Sequence, residues 1–255
     1  MRKVDAKNRV RQNRILRALL EEEGLSLTEI ANKTGMTIPM VTRQLEFLRE
    51  DGFTHEDITP DPDRVGRPPT VVRLRGDAGY VLGIDIGHRN TNFVLLNFQQ
   101  KIIAELHRPS ADITRPDAVI TDLTNGIECV LKQGKTPHEK LFGIGVSLPG
   151  IVRGREGISE TYLNFGQTPL REILEERWKT SVLIEHDAKA MAMGEYWFGS
   201  ARNLKDVLCI NIGWGLGLGI ILNGKLVYGH HGYAGEFGHI NIADTDLPCV
   251  CGKRG

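Results

Sequence analysis

Excess charge of either sign is what this chain lacks most plainly. Its 255 residues carry 32 Lys and Arg against 32 Asp and Glu, a formal net charge of zero. That excludes nucleic-acid binding through a global positive field, so any such binding must use a local basic surface. No apolar run reaches the length of a membrane-crossing helix, and the opening residues are not expected to act as a signal peptide. A cytoplasmic protein with no membrane partner is expected. Cysteine is scarce, with four residues: Cys129, Cys209, Cys249 and Cys251. The first two sit in apolar surroundings and read as buried thiols. A Cys249–Cys251 disulfide would need a very tight loop, which leaves metal binding or free thiols for that pair. No periodic repeat is present. What remains, 40% hydrophobic and 25% charged residues, describes a globular chain long enough for more than one domain.

The first 75 residues hold 14 basic and 12 acidic side chains, but seven basic residues and one acid precede Leu19. Residues 10–22 show a helical stripe of Val10, Ile15, Leu16, Leu19 and Leu20. Thr28 is the expected N-cap of a short second helix, Gly35 makes a turn, and Thr37 caps a longer third helix bearing Val41, Leu45 and Leu48. Three helices with a short second turn match a helix-turn-helix, whose third helix enters the major groove. Thr37, Thr42, Arg43 and Gln44 are its candidate DNA contacts: Arg and Gln read base edges, and Thr bonds phosphate or touches a thymine methyl. Residues 53–58 and 70–74 read as two wing strands. The proline-rich link between them offers Arg64 and Arg67 for phosphate or the minor groove.

Beyond the wing the pattern changes to strand, turn, strand, helix. Strands are expected near 79–86, 92–96, 101–107, 141–146, 182–185 and 207–212, with helices at 116–132, 170–178 and from Asp187 onward. Residues 218–222 should pair with Leu226 and Val227 through the Asn223-Gly224 turn. This reads as an α/β domain followed by the start of a second similar one. Near the end, His239 precedes Cys249-x-Cys251-Gly252 by about ten residues, which supplies three candidate metal ligands where structural zinc takes four. The chain is expected to end inside such a site.

Taken together, Asp85-Ile-Gly87, Ser147-Leu-Pro-Gly150, His186-Asp187-Ala188, the glycine run at 213–219 and Gly235-Glu-Phe-Gly-His239 with Cys249-x-Cys251-Gly252 resemble the ROK family. That family joins sugar kinases to sugar-responsive transcriptional repressors. The likeness implies a winged helix-turn-helix at 1–75 and an actin-like, sugar-kinase-like (ribonuclease H-like) α/β fold, with its first lobe at 76–200 and an incomplete second lobe at 201–255. It places Asn164, Asp187, Glu236 and His239 at a sugar site, where His186, which departs from the family pattern, is a further candidate contact. It places His239, Cys249 and Cys251 at a zinc site whose fourth ligand, a Cys soon after Gly252, this sequence does not contain. Asp187 matches the kinase base. His88 and Arg89 stand where kinases carry Gly and Thr in the first phosphate turn, and Trp214 replaces Thr in the second. His186 and Lys189 replace two asparagines around the base. The expected protein is therefore not an enzyme but a homodimeric repressor of operator DNA with a sugar or sugar-derivative effector. The alternatives are a sugar kinase bearing a DNA-binding head, and a fragment that binds DNA without sensing.

Overall fold

A computed structural model describes residues 6–58, 70–154, 156–163, 168–213, 215–241, 246–249 and 251–254. The chain forms two compact units. The first comprises Met1–Val81, Leu95–Ala104 and Gly134–Phe142; the second comprises Leu82–Val94, Glu105–Gln133 and Gly143–Gly255.

In the first unit, α1 (Ala6–Glu21), α2 (Leu27–Thr34) and α3 (Ile38–Glu50) surround a core of Ile15, Ile30, Val41, Leu45 and Leu48. The cap expected at Thr28 lies two residues earlier. The Ser26 hydroxyl accepts from the Glu29 N–H at 3.3 Å, and the Glu29 carboxylate accepts from the Ser26 N–H at 2.7 Å, a reciprocal capping box. Thr37 does cap α3 in conformation, without a side-chain hydrogen bond. The wing strands β1 (Thr54–Ile58) and β2 (Thr70–Leu74) pair antiparallel, Thr54 opposite Leu74, and Leu25 exchanges both backbone hydrogen bonds with Val72. Arg64 and Arg67 lie outside the described residues. Within the same unit, Phe53, Phe98 and Phe142 form an aromatic cluster with ring centroids 5.0–6.3 Å apart. Gln99 donates to the Leu74 carbonyl at 3.0 Å, and Gln100 donates to that of Leu20.

The main sheet contains β3 (Tyr80–Ile86), β4 (Asn90–Asn97), β5 (Ile102–Pro109), β6 (Leu141–Leu148) and β9 (Ser181–His186) in the order β5-β4-β3-β6-β9. β6 and β9 are parallel, with Ser147 opposite Glu185 and Leu148 opposite His186. In the second unit, α4 (Pro116–Gln133) contributes Leu123 and Ile127 to a core shared with Ile84, Ile86, Phe93, Ile144 and Val146. α4 comes close because it presents Gly126 where Phe93 lies; a Cβ there would overlap that ring. Two short strands, β7 (Val152–Arg153) and β8 (Ile158–Ser159), form a hairpin that the sequence pattern did not announce. α5 (Leu170–Trp178) precedes β9, and α6 (Asp187–Trp197) follows it directly. β10 (Val207–Ile212), β11 (Leu216–Leu222) and β12 (Lys225–Leu226) make a separate antiparallel sheet. Positive φ at both Asn223 (51°) and Gly224 (71°) gives the expected tight hairpin. Cys129 and Cys209 are partly exposed rather than buried. Cys209 lies on the β10 face alternate to the exposed Leu208 and Ile210, and desolvation followed by the Glu195 charge raises its thiol pKa.

Candidate functional site

The second unit gathers its polar side chains where strands end and helices begin, the position open α/β sheets use for ligands. β9 passes into α6 with no intervening loop. His186 is the helix N-cap residue and Asp187 the first helical one, so the Asp187 carboxylate meets the positive end of the helix dipole. It accepts the Ala188 N–H at 2.6 Å, and His186 Nε2 lies 3.3 Å from the same oxygen. The His186 ring is 12% exposed, and its Nδ1 is buried with no hydrogen-bond partner among the described residues. A buried polar nitrogen left open in this way is suited to a ligand hydroxyl.

α6 seats closely on β11 because small residues meet. A Cβ at Gly217 would stand 2.8 Å from Ala188 Cβ, and one at Gly219 would overlap Ala192. The following segment lies against the same strand. Gly235, at φ 89°, and Gly238 approach the Leu218 and Leu216 carbonyl oxygens so closely that side chains there would collide with them. These contacts fix the short 3-10 turn Phe237–His239 and aim Glu236 and His239. His239 Nε2 is 3.7 Å from the Glu236 carboxylate, while its Nδ1 is 3.4 Å from Cys249 Sγ.

Cys249 and Cys251 stand on a tight turn closed by Cys249 N–H to the Lys253 carbonyl and Gly252 N–H to the Cys249 carbonyl, both at 2.9 Å. The donor atoms of His239, Cys249 and Cys251 lie within 4.8 Å of one another. The Lys253 backbone N–H, then the Cys249 thiol, hold the Cys251 thiol below its ordinary pKa, towards the thiolate that binds metal. Zinc–sulfur and zinc–nitrogen bonds of roughly 2.0–2.3 Å place tetrahedral ligands a little under 4 Å apart. The donor set, one imidazole and two thiols, is of the kind such an ion takes, and the Glu236 carboxylate stands 3.7 Å from the imidazole nitrogen that faces away from Cys249.

The structure thus brings the expected residues into two clusters, His186 with Asp187 and Glu236 with His239, Cys249 and Cys251. No hydrogen bond or ion pair joins the two among the described residues. Asn164 and Trp214 lie outside those residues. The phosphate-turn Asp85 is engaged elsewhere: it accepts the Ser147 hydroxyl at 2.6 Å and the Asn92 amide at 3.3 Å, and Asn92 in turn meets His107 at 2.9 Å. Sequence reasoning passed over Glu185 and Tyr228, and treated Lys189 only as a replacement. Glu185 accepts from the Tyr228 hydroxyl at 2.9 Å and from the His186 N–H at 2.9 Å. Lys189, 2% exposed, donates to the Gly232 carbonyl at 2.5 Å and lies 5.8 Å from the Tyr228 ring centroid. A lysine inside a small-residue helix was the available signal, since burial of such a charge demands a partner.

On the DNA-facing candidate, α3 leaves Thr37, Thr42 and Arg43 exposed. Thr42 bonds back to the Ile38 carbonyl at 3.0 Å. Gln44 departs from expectation. It is 3% exposed, its amide donates to Asn8 of α1 at 3.4 Å, and its position on the stripe with Val41, Leu45 and Leu48 turns it into the helical core, away from any groove.

A winged three-helix head and a sugar-kinase-like α/β domain define a class of two-part proteins. The ROK family model matches residues 81–255, and a model described as winged helix-turn-helix DNA-binding matches residues 10–53. The chain belongs to the ROK family. It is 30% identical over 243 residues to the xylose repressor of Caldicellulosiruptor bescii, covering 94% of this chain and 61% of that protein. It is 33% identical over 181 residues to the glucokinase of Streptomyces coelicolor, covering 69% of this chain and 54% of that one. A crystal structure of a ROK family transcriptional regulator, a homologue of the Escherichia coli MLC protein, matches with TM-score 0.77 at 22% identity. That match covers 98% of this chain and 64% of the other and shows the shared fold. The chain spans about 61% of the first of these relatives.

Proposed function

We propose that this chain belongs to a sugar-responsive transcriptional repressor: a winged helix-turn-helix binds operator DNA, and the ROK domain senses a sugar or sugar derivative. The observation that carries this reading is the winged head itself, matched at residues 10–53, with Thr37, Thr42 and Arg43 exposed on its third helix. The repressor among its relatives spans the head as well as the ROK domain, whereas the glucokinase match covers 69% of the chain. Asp187 and His186, with Glu236 and His239, supply acceptors and donors for sugar hydroxyls; a carboxylate can hold two neighbouring hydroxyls at once. His239, Cys249 and Cys251 would hold a zinc ion, which supplies structural cross-linking of the His239 turn to the cysteine turn rather than chemistry on a substrate.

Phosphoryl transfer is not part of this function. Asp85 accepts hydrogen bonds from Ser147 and Asn92, and His88 and Arg89 stand where the resembling kinases carry Gly and Thr. The protein acts in the cytoplasm as a homodimer, because two-fold operators are read by paired heads. Fluorescence anisotropy with labelled promoter fragments tests the reading. Saturable, salt-dependent binding to one sequence, altered by a pentose or hexose, is the expected result; equal affinity for all fragments would sink it.

A further inference from the structure

A cavity of about 330 Å³ lies beside the Asp187 cluster and outside it, walled by the β7–β8 hairpin and the loop of residues 228–233. Its volume is at the lower end of small-molecule sites, roughly 300–1,000 Å³. Three contacts build the loop around it. Lys189, two residues after Asp187 in the same helical turn, anchors the Gly232 carbonyl. The Tyr228 hydroxyl reaches Glu185, which stands two residues before Asp187. The Tyr233 hydroxyl donates to Glu160 at 3.1 Å. Gly229 and Gly232, at φ 71° and 88°, give the bends that left-handed backbone requires. The same loop then runs directly into Gly235 and Glu236.

The charges of the lining decide the ligand class. Among the described residues of the wall, Arg153 is the only permanently cationic side chain, and it is already matched by Glu156 at 2.5 Å and Glu160 at 2.7 Å. Lys189 is committed to a carbonyl. The field therefore does not call for an anion. What the wall offers is a bound Arg–Glu pair, the two imidazoles of His230 and His231 with centroids 4.4 Å apart, and two tyrosines. Paired donors and acceptors beside aromatic rings suit vicinal hydroxyls on an apolar ring face, which is to say a neutral sugar.

We propose that this cavity is a second sugar subsite and that the effector is longer than one ring: one ring lies at His186, Asp187 and Glu236, and a linked ring lies between the hairpin and the 228–233 loop. The proposal rests on the Asp187 cluster being a sugar site. Isothermal titration of this chain compares xylose with xylobiose and glucose with cellobiose, in the native protein and in His231→Ala, Tyr233→Ala and Asp187→Asn variants. One disaccharide is expected to bind at least tenfold more tightly than its monosaccharide. His231→Ala or Tyr233→Ala should abolish that advantage while leaving monosaccharide affinity within about twofold. His231 is exposed, so its variant separates loss of contact from loss of fold. Monosaccharide binding that depends on Asp187, with no disaccharide advantage, would overturn the second subsite and leave the first. Disaccharide binding indifferent to Asp187→Asn but lost in the loop variants would keep the cavity and overturn the cluster. No binding of any of the four sugars would overturn both.

Discussion

At the scale of single residues, the difference between Thr28 and Ser26 shows how a cap is chosen. Both can accept a backbone N–H, but only Ser26 has a Glu at its third helical position to reciprocate. Replacing Ser26 with Ala should cost about 1 kcal/mol in urea denaturation at neutral pH. The Ser26 backbone N–H, then its hydroxyl, depress the Glu29 pKa below its ordinary 4.5. A depressed folded-state pKa means the unfolded chain binds more protons, so the contribution is complete above the ordinary value and is lost as pH falls through the lower one. The difference between native and Ser26→Ala proteins should shrink on acidification through that window; a constant difference would argue against the carboxylate's part in the cap. Gly219 makes a second case. Its missing side chain lets α6 reach β11, and Gly219→Ala should destabilise by about 1–3 kcal/mol because the added methyl meets Ala192 and the Ala188 carbonyl. The glycine run was legible in the sequence, but its partner was not: only the fold reveals that the glycines serve helix packing along part of the strand rather than a phosphate alone.

At the scale of elements, long periodic segments were legible because one buried face imposes its spacing on the sequence. The stripe Val41, Leu45 and Leu48 identified α3, and the hydrophobic run ahead of Asp85 identified β3 as a strand. The hairpin of β7 and β8 has two residues in each strand and therefore no period to read. Face assignment within a correctly placed helix failed at Gln44, because a polar side chain three residues from Val41 was read by chemistry rather than by position. The two residues now make opposite predictions. Arg43→Ala should weaken operator binding by about 1–3 kcal/mol, roughly tenfold in anisotropy titrations, through loss of a base or phosphate contact. Gln44→Leu, nearly volume-conserving, removes a buried amide oxygen that has no partner among the described residues. It should leave sequence preference unchanged and keep or raise thermal stability, by up to about 1 kcal/mol. Altered base preference in Gln44→Leu with unchanged melting would return Gln44 to the groove.

At the scale of the molecule, the most consequential surface is one face of the β10–β11 ribbon. Strand alternation sends Val207, Cys209 and Asn211 to one side and Leu208, Ile210 and Ile212 to the other, where they are 67%, 55% and 83% exposed. Their cross-strand partners are Ile220, Leu218 and Leu216, so three directly opposed pairs make one continuous apolar patch. The glycines of β11 face α6, which leaves every large side chain of residues 216–220 on the other face. The hydrophobic runs in this part of the sequence announced strands but not exposure, since a run buried on both faces reads the same as one left open on one. The chain spans about 61% of its xylose-repressor relative, and Leu208, Ile210, Ile212 and Leu216 of this face are exposed, with Leu218 and Ile220 partly so. Exposed apolar surface of this kind drives association in water. Sedimentation velocity of this chain should therefore show an average mass rising with concentration, accompanied by binding of a hydrophobic dye. Ile210→Lys with Ile212→Lys should reduce both effects while leaving the fold of the winged head unchanged, because neither residue lies in it. A concentration-independent mass in the native chain, or association untouched by the two lysines, would show that these strands are not the contact and that any dimer forms through another surface.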